Sequence, residues 1–328
     1  MRKPVYIVDA MNHIFRAYYA LPRDIHSPSG MLTNAVLGYA RTLLRIIRDH
    51  KPEYLVSVFE GDTSFRNELF SDYKANRAEH PADLDRQVDS CRRITEAIGV
   101  PYFQLNDYEA DDLIGTIAIR MWESGHSVVI VTGDKDMSQL VRTGINVYDM
   151  GKGLWLDEAR VREKFGVTPQ QIPELLSLLG DSVDNIPGVF GVGEKTARQI
   201  LSICSCVEDL VLSDTYDDRF TFRGRTDILR RIRTNIDAVR MSRKLATICC
   251  DAPITVNSDT VRYRRAHREK LNSVLAELGL KQIAADPEVL QALFEVLEVE
   301  RVRTGHSKIT LIPDQTGLLA QLMAARQS

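Results

Sequence analysis

Apolar positions along the chain follow two periods. Val5-Tyr6-Ile7-Val8, Tyr54-Leu55-Val56-Ser57-Val58-Phe59 and Ser127-Val128-Val129-Ile130-Val131 are short, β-branched-rich runs, which predicts strands buried on both faces of a sheet. Between them the spacing becomes helical. Val36, Leu37, Tyr39, Ala40, Leu43, Leu44 and Ile47 predict a core-facing helix over 33–48, and Leu113, Ile114, Ile117, Ala118 and Met121 predict another, with Asn106 or Asp107 as its N-cap. Pro81 breaks the chain ahead of a polar helix over 83–98, where Arg86, Arg92 and Arg93 read equally as a solvated face or a basic patch. Tyr18 and Tyr19 read as core packing.

Strand alternating with helix through residues 4–150 implies right-handed crossovers, and hence an α/β fold with a mainly parallel, twisted sheet flanked by helices. Beyond Thr168-Pro169 the pattern is helical: an apolar helix over 172–179, then a glycine-rich turn from Gly188 to Gly193 that opens a second helix. The organisation expected is an α/β region over 1–168, a helical region over 169–300 and a tail over 301–328 with a short helical pattern at 316–325.

Composition adds limits. With 328 residues, 44% of them hydrophobic, the chain is long enough for a sizeable core, and it has no run of membrane-span length, so a cytoplasmic protein is the expectation. The five cysteines, Cys91, Cys204, Cys206, Cys249 and Cys250, lack the paired spacing of a zinc ribbon and read as reduced thiols. A net charge of −3 does not advertise a nucleic-acid binder, yet an acidic pocket would cancel basic faces in the total.

The acids fall where the elements end. Asp9 follows the first strand, Glu60 the second, and Asp134 and Asp136 the third, so on a parallel sheet all of them stand at the edge where open α/β sheets bind ligands. Asp134 and Asp136 point the same way if the backbone stays extended. Glu109, Asp111 and Asp112 crowd the first turn of the helix over 110–121, and Asp181 and Asp184 would share one side of a helical turn. No histidine or cysteine accompanies these acids. An all-oxygen set selects Mg²⁺ or Mn²⁺, and this many carboxylates would suit two or more ions, the usual device for in-line displacement at phosphorus by water. Arg66, Tyr73, Lys74 and Arg77 lie among aromatics, a pattern suited to stacking a base and meeting its phosphate, while Arg16 lies two turns beyond Asp9. The glycine turn either approaches a phosphate or makes a tight helical hairpin. The basic clusters 223–225, 230–233 and 262–265 either track a nucleic-acid backbone or are solvated faces.

Val8-Asp9, Phe59-Glu60, Tyr73-Lys74-Ala75-Asn76-Arg77, Glu109-Ala110-Asp111-Asp112, Thr132-Gly133-Asp134-Lys135-Asp136, the block from Gly180 to Gly188 and Gly191-Val192-Gly193-Glu194-Lys195-Thr196-Ala197 occur in that order. Together they resemble the signature blocks of the 5′-nuclease (flap endonuclease) family, in the branch that includes the 5′-to-3′ exonuclease domain of bacterial DNA polymerase I. The resemblance covers roughly 4–260 and implies a PIN-like fold with a helical arch over about 66–98 and a duplex-binding helix-turn-helix over about 174–202. It implies a divalent-metal-dependent phosphodiesterase that acts, as a monomer, on DNA with a 5′ flap, nick or free 5′ end, or on an RNA-primer/DNA hybrid. Asp9, Glu60, Glu109, Asp111 and Asp112 would serve mainly one metal, and Asp134, Asp136, Asp181 and Asp184 the other. By the same resemblance Lys74 and Arg77 would draw in the scissile phosphate, Tyr73 would stack on a base, and Gly191, Gly193, Lys195 and Thr196 would grip the duplex beside a K⁺ ion. Glu60 departs from the Asp usual in the family, on a loop about one residue shorter, which motivates a junction-binding module with impaired catalysis as the alternative. An RNA-directed nuclease is a third reading. Polymerase and proofreading parts are absent, as in a free-standing nuclease or an excised domain.

Overall fold

The computed structural model describes residues 2–77, 80–212 and 218–285. In chain order the elements are β1 (Arg2–Asp9), α1 (Ala10–Ala20), α2 (Asn34–His50), β2 (Tyr54–Val58), α3 (Phe65–Leu69), α4 (Ala82–Ile98), β3 (Tyr102–Phe103), α5 (Ala110–Glu123), β4 (His126–Val131), β5 (Ile145–Asp149), β6 (Leu154–Leu156) and α6 (Glu158–Phe165). A helical region follows: α7 (Ile172–Leu179), α8 (Glu194–Ile203), α9 (Glu208–Leu212), α10 (Arg225–Thr234), α11 (Ile236–Ala246), α12 (Arg268–Glu277) and α13 (Lys281–Ala284). The tail pattern read at 316–325 lies outside the described residues.

The sheet has the order β3-β2-β1-β4-β5-β6, parallel throughout except that β6 returns antiparallel to β5. Val5, Ile7, Val56, Val58, Val128 and Ile130 are fully buried, as their β-branched runs require of a sheet covered on both faces. The chain leaves β1 toward β2 and β3 and then crosses back to place β4 on the other side of β1. That reversal between β1 and β4 is a topological switch point, where strand ends diverge and leave a crevice at their carboxyl edge.

Helix α2 packs on α1 and α4. One face of α4 is buried through Leu84, Val88, Cys91, Ile94 and Ile98, and its Gln87 side chain accepts from the Ala35 N–H at 2.8 Å, satisfying an orphan donor in the first turn of α2. Most of the span read as an arch is therefore a flank helix of the α/β layer, and among its described residues the turns from Ser71 to Arg77 supply those that line the crevice at the sheet edge. In the helical region α7 packs against α8 and α11, with a tight loop from Gly180 to Gly193 between α7 and α8.

Two local expectations change. Helix α5 is capped by Glu109 rather than Asn106 or Asp107, whose side chains instead accept from Asp62 N and Thr63 Oγ1 at 3.1 and 2.7 Å and clamp the loop after Glu60. Asp181 and Asp184 are not on a helical turn. Asp181 and Ile186 exchange backbone hydrogen bonds, and the acids lie on the resulting turn.

Gly99 ends α4 with φ +88°, and a Cβ there would stand 2.0 Å from the Arg265 carbonyl oxygen. Gly99→Ala meets both left-handed strain and a backbone clash. It is expected to cost more than ~2 kcal/mol, read as a lowered midpoint in denaturant unfolding.

Candidate active site

The crevice at the switch point is a cleft of about 440 Å³ lined by Asp9, Glu60, Glu109, Asp111, Asp134, Asp136, Asp181 and Asp184. Each carboxylate arrives by a local device. Asp9 ends β1 and caps α1, accepting from Asn12 N at 3.0 Å and from Thr132 Oγ1 at 2.8 Å, which ties the β1 edge to the β4 edge. Past β4 the chain does not stay extended. Asp134 Oδ1 accepts from Asp136 N at 2.8 Å, and a 3₁₀ turn begins at Asp136, yet both side chains still face the cleft. Glu60 uses its extra methylene to reach the first turn of α5, accepting from Ala110 N at 3.1 Å. Gly61 lets that loop pass, because a Cβ would stand 2.3 Å from the Leu105 carbonyl oxygen.

The ninth acid is elsewhere. Asp112 is wholly buried and accepts from the Arg66 guanidinium in bidentate fashion at 2.7 and 2.8 Å, from Glu109 N at 3.1 Å and from Cys249 N at 2.8 Å. Both of its oxygens are engaged, so it is not placed to ligate a metal. Arg66 is 2% exposed and also donates to the carbonyls of Leu245 and Thr247, so it cannot meet a phosphate. Its place among aromatics suggested a binding surface, but tertiary packing turns it inward. Tyr73 is corrected likewise: its ring is 3% exposed, unavailable to a base, and its hydroxyl donates to Glu109 Oε2 at 3.2 Å.

Cations from several elements enter among the acids. Lys74, at φ +56°, places Nζ 2.7 Å from Glu109 Oε1, Arg77 meets Asp184 at 2.5 Å, and Lys135 meets Asp181 at 2.6 Å. The Ser71–Arg77 turns are latched to the loop bearing Asp181 and Asp184: Lys74 N donates to Asp184 O, Asn76 to Ser182 O and Asn185 to Asp72 O. Arg16 also lines the cleft. Sequence reasoning missed Lys135, Asn12 and Thr132, although Lys135 stands between two recognised acids. Tyr19 is not core, as its spacing suggested, but an exposed residue of the cleft rim. Gly191, Gly193 and Lys195 lie on an exposed turn at the N-terminus of α8, with open space beside Gly193.

Like charge and burial leave the cleft short of positive charge. Burial, then Glu109, pushes the Glu60 carboxyl up to about 7, and burial, then Asp134, pushes Asp136 up to about 7. Asp9 and Asp111 are raised by burial and by neighbouring acids. Asp181 goes the other way: burial opposes its charge, but Lys135 and the Val183 N–H hold its carboxyl below the usual range. A crowded all-oxygen donor set whose acids hold protons near neutrality fits divalent cations of the Mg²⁺ type. Among the described residues no three acids already stand in ligand geometry around one point, and Lys74, Arg77 and Lys135 occupy some of their oxygens.

A switch-point crevice filled with carboxylates defines a class of oxygen-ligand metal sites on a parallel α/β sheet. Comparison with known proteins narrows it. The family described as 5′-3′ exonuclease, N-terminal resolvase-like domain, matches residues 4–166, and 5′-3′ exonuclease, C-terminal SAM fold, matches 167–269. A 5′-3′ exonuclease of Aquifex aeolicus is 33% identical over 283 residues, covering 86% of this chain and 94% of that protein. DNA polymerase I of Bacillus caldotenax is 37% identical over 287 residues, covering 86% of this chain but 32% of the polymerase. The chain thus spans about a third of the length of the polymerases it matches. Among solved structures, T5 5′-exonuclease with divalent metal ions (zinc) bound superposes with TM-score 0.60 at 20% identity, covering 84% of this chain and all of that one. The catalytic core of Rad2 in complex with DNA substrate gives TM-score 0.54 at 18% identity, covering 84% and 88%. This chain belongs to the 5′-3′ exonuclease family.

The charges set two measurable outcomes. Asp112→Ala strands Arg66 in the core and is expected to cost ~3–5 kcal/mol in denaturant unfolding, whereas Asp111→Ala removes like-charge repulsion and costs far less. Because Glu60 and Asp136 bind protons more tightly folded than unfolded, their contribution to stability is present at low pH and is lost as pH rises from the ordinary carboxylate range through about 7. In EDTA the wild type is therefore expected to lose more stability between about pH 5 and about pH 8 than a Glu60→Gln, Asp136→Asn double variant.

Proposed function

We propose that this chain is a divalent-metal-dependent, structure-selective 5′-to-3′ exonuclease and flap endonuclease that hydrolyses DNA phosphodiester bonds near single-strand/double-strand junctions in replication and repair. The observation that carries the reading is the convergence of eight carboxylates on the switch-point cleft, faced by Lys74 and Arg77. Mg²⁺ or Mn²⁺, bound as two or more ions, would supply an activated water and stabilise the leaving oxygen. Asp9, Glu60, Glu109, Asp111, Asp134, Asp136, Asp181 and Asp184 would hold the ions.

The other roles belong to the chain's own side chains. Lys74 and Arg77 exchange Glu109 and Asp184 for the incoming phosphate and orient it over the acids. The Ser71–Arg77 turns serve as the base of the arch, with Tyr73 positioning Glu109 from behind. Gly191, Gly193, Lys195 and Thr196, on the turn into α8, grip the duplex backbone without reading sequence, and the same turn is where a K⁺ ion would sit. The α/β region over about 1–168 then carries the chemistry and the helical region after it the duplex contact. The protein works as a monomer in the cytoplasm. Glu60 remains within the cleft, so no observation favours a binding module without catalysis.

Cleavage of a 5′-end-labelled flap DNA in Mg²⁺, Mn²⁺ or EDTA tests this. Product at the junction that requires metal, and falls at least ~10²-fold in Asp134→Ala, is the expected result. Tight flap binding with no cutting in either metal would sink it. Glu60→Asp, which gives up the hydrogen bond from Ala110 N, is expected to leave kcat equal or lower; a large gain would mean Glu60 is a handicap.

A further inference from the structure

Behind the cleft, α1, α2 and the β5–β6 turn enclose a groove of about 260 Å³ whose walls include Arg16, Arg41, Arg45, His13, Met150 and Gly151. Arg16 lines both this groove and the acidic cleft, so the two share a wall. A Cβ on Gly151 would fall 1.4 Å from Arg16 Nη1, so the arginine lies across the turn in the space any other side chain would fill. Beneath it the buried Asp149 carboxylate accepts from Gly151 N at 2.9 Å and Lys152 N at 3.2 Å, which shapes the turn, and faces Arg16 Nη1 at 3.8 Å and Lys152 Nζ at 3.4 Å.

Three arginines and no carboxylate are among the described residues that line the groove. Arg41 donates to the neutral Gln282 side chain at 2.6 Å and has no acidic partner among the described residues. Arg45 meets Asp49 at 3.4 Å on the same helix. An acidic cleft repels every phosphate but the one its cations hold, so a strand passing through it gains from cations placed just beyond. The groove carries no exposed aromatic ring among these residues, which suits backbone contact rather than base stacking.

We propose that this groove is a track for the phosphodiester backbone of the nucleic-acid single strand that leaves the cleft, with Arg16, Arg41 and Arg45 meeting phosphates and Asp149 and Gly151 acting as positioning residues for Arg16. The proposal rests on the nuclease reading for the identity of the strand. It adds a second cationic surface, away from the turn into α8.

The test is the salt dependence of binding of a labelled 5′-flap DNA to the full chain in EDTA, where cutting is suppressed. Each single-strand phosphate that a variant no longer neutralises lowers the slope of log K against log salt by ~0.7. Arg41→Ala with Arg45→Ala is expected to lower it by ~1.4, so the affinity deficit shrinks about 7-fold between ~50 and ~200 mM salt. Gly151→Ala is expected to lower it by ~0.7. If that variant does not fold, Arg16→Ala reads the same phosphate. Lys3→Ala, a surface charge at the opposite end of β1, is expected to keep the wild-type slope. A wild-type slope in the double variant overturns the track while leaving the nuclease reading intact. Absence of metal-dependent cutting by the wild type, with the slopes as expected, overturns the nuclease reading and not the track.

Discussion

Carboxylates of like sign gathered at one edge of a sheet are the constraint around which this molecule is arranged. Burial and mutual repulsion both disfavour their charged forms, so the fold must supply hydrogen-bond donors and cations at each position. It does so by ending elements there. Asp9 accepts from the first turn of α1, Glu60 from the first turn of α5, and Asp134 from the 3₁₀ turn it opens. Thr132 links β1 to β4 across the divergence between them. What repulsion remains is met by Lys74, Arg77 and Lys135, from segments that are not strands.

The Arg66–Asp112 pair is the counterpart of that open cluster. It lies behind the first turn of α5 and ties three separate segments together: α3, the helix carrying Glu109 and Asp111, and the backbone from Leu245 to Cys249. A buried ion pair adds little net stability over an apolar replacement, but every donor and acceptor here has one geometry that satisfies it. The pair thus sets the height and rotation of α5, and with it where Glu109 and Asp111 enter the cleft. Acids one residue apart thereby do opposite work, Asp111 facing the cleft and Asp112 the core.

The Ser71–Arg77 turns and the loop bearing Asp181 and Asp184 are also one mechanical unit. Backbone and amide hydrogen bonds join them, and Lys74 and Arg77 reach across to the acids of the other side. The α/β layer and the helical region are therefore coupled at the site itself. The loop after α7 and the cations that face the cleft are held by one set of hydrogen bonds and ion pairs.

Much of this was legible in the residues alone, for a physical reason. Buried parallel strands need apolar runs, helices need their own period, and acids at strand ends need only chain order to be placed on one edge, so the three central strands, the helices between them and four of the cleft acids, Asp9, Glu60, Asp134 and Asp136, follow from local pattern. Orientation about an element's axis does not. Whether Asp112 faces the cleft or Arg66, whether Tyr73 presents its ring or buries it, and whether Asp181 lies on a helix or a turn depend on which distant segment packs against each. Leu245, Thr247 and Cys249 lie far from Arg66 and Asp112 in sequence, and no local period announces a partner at that distance. The sequence determined which chemistry is present and at which edge it stands. Tertiary packing alone decided which of those charges remain exposed to act and which are consumed in holding the others in place.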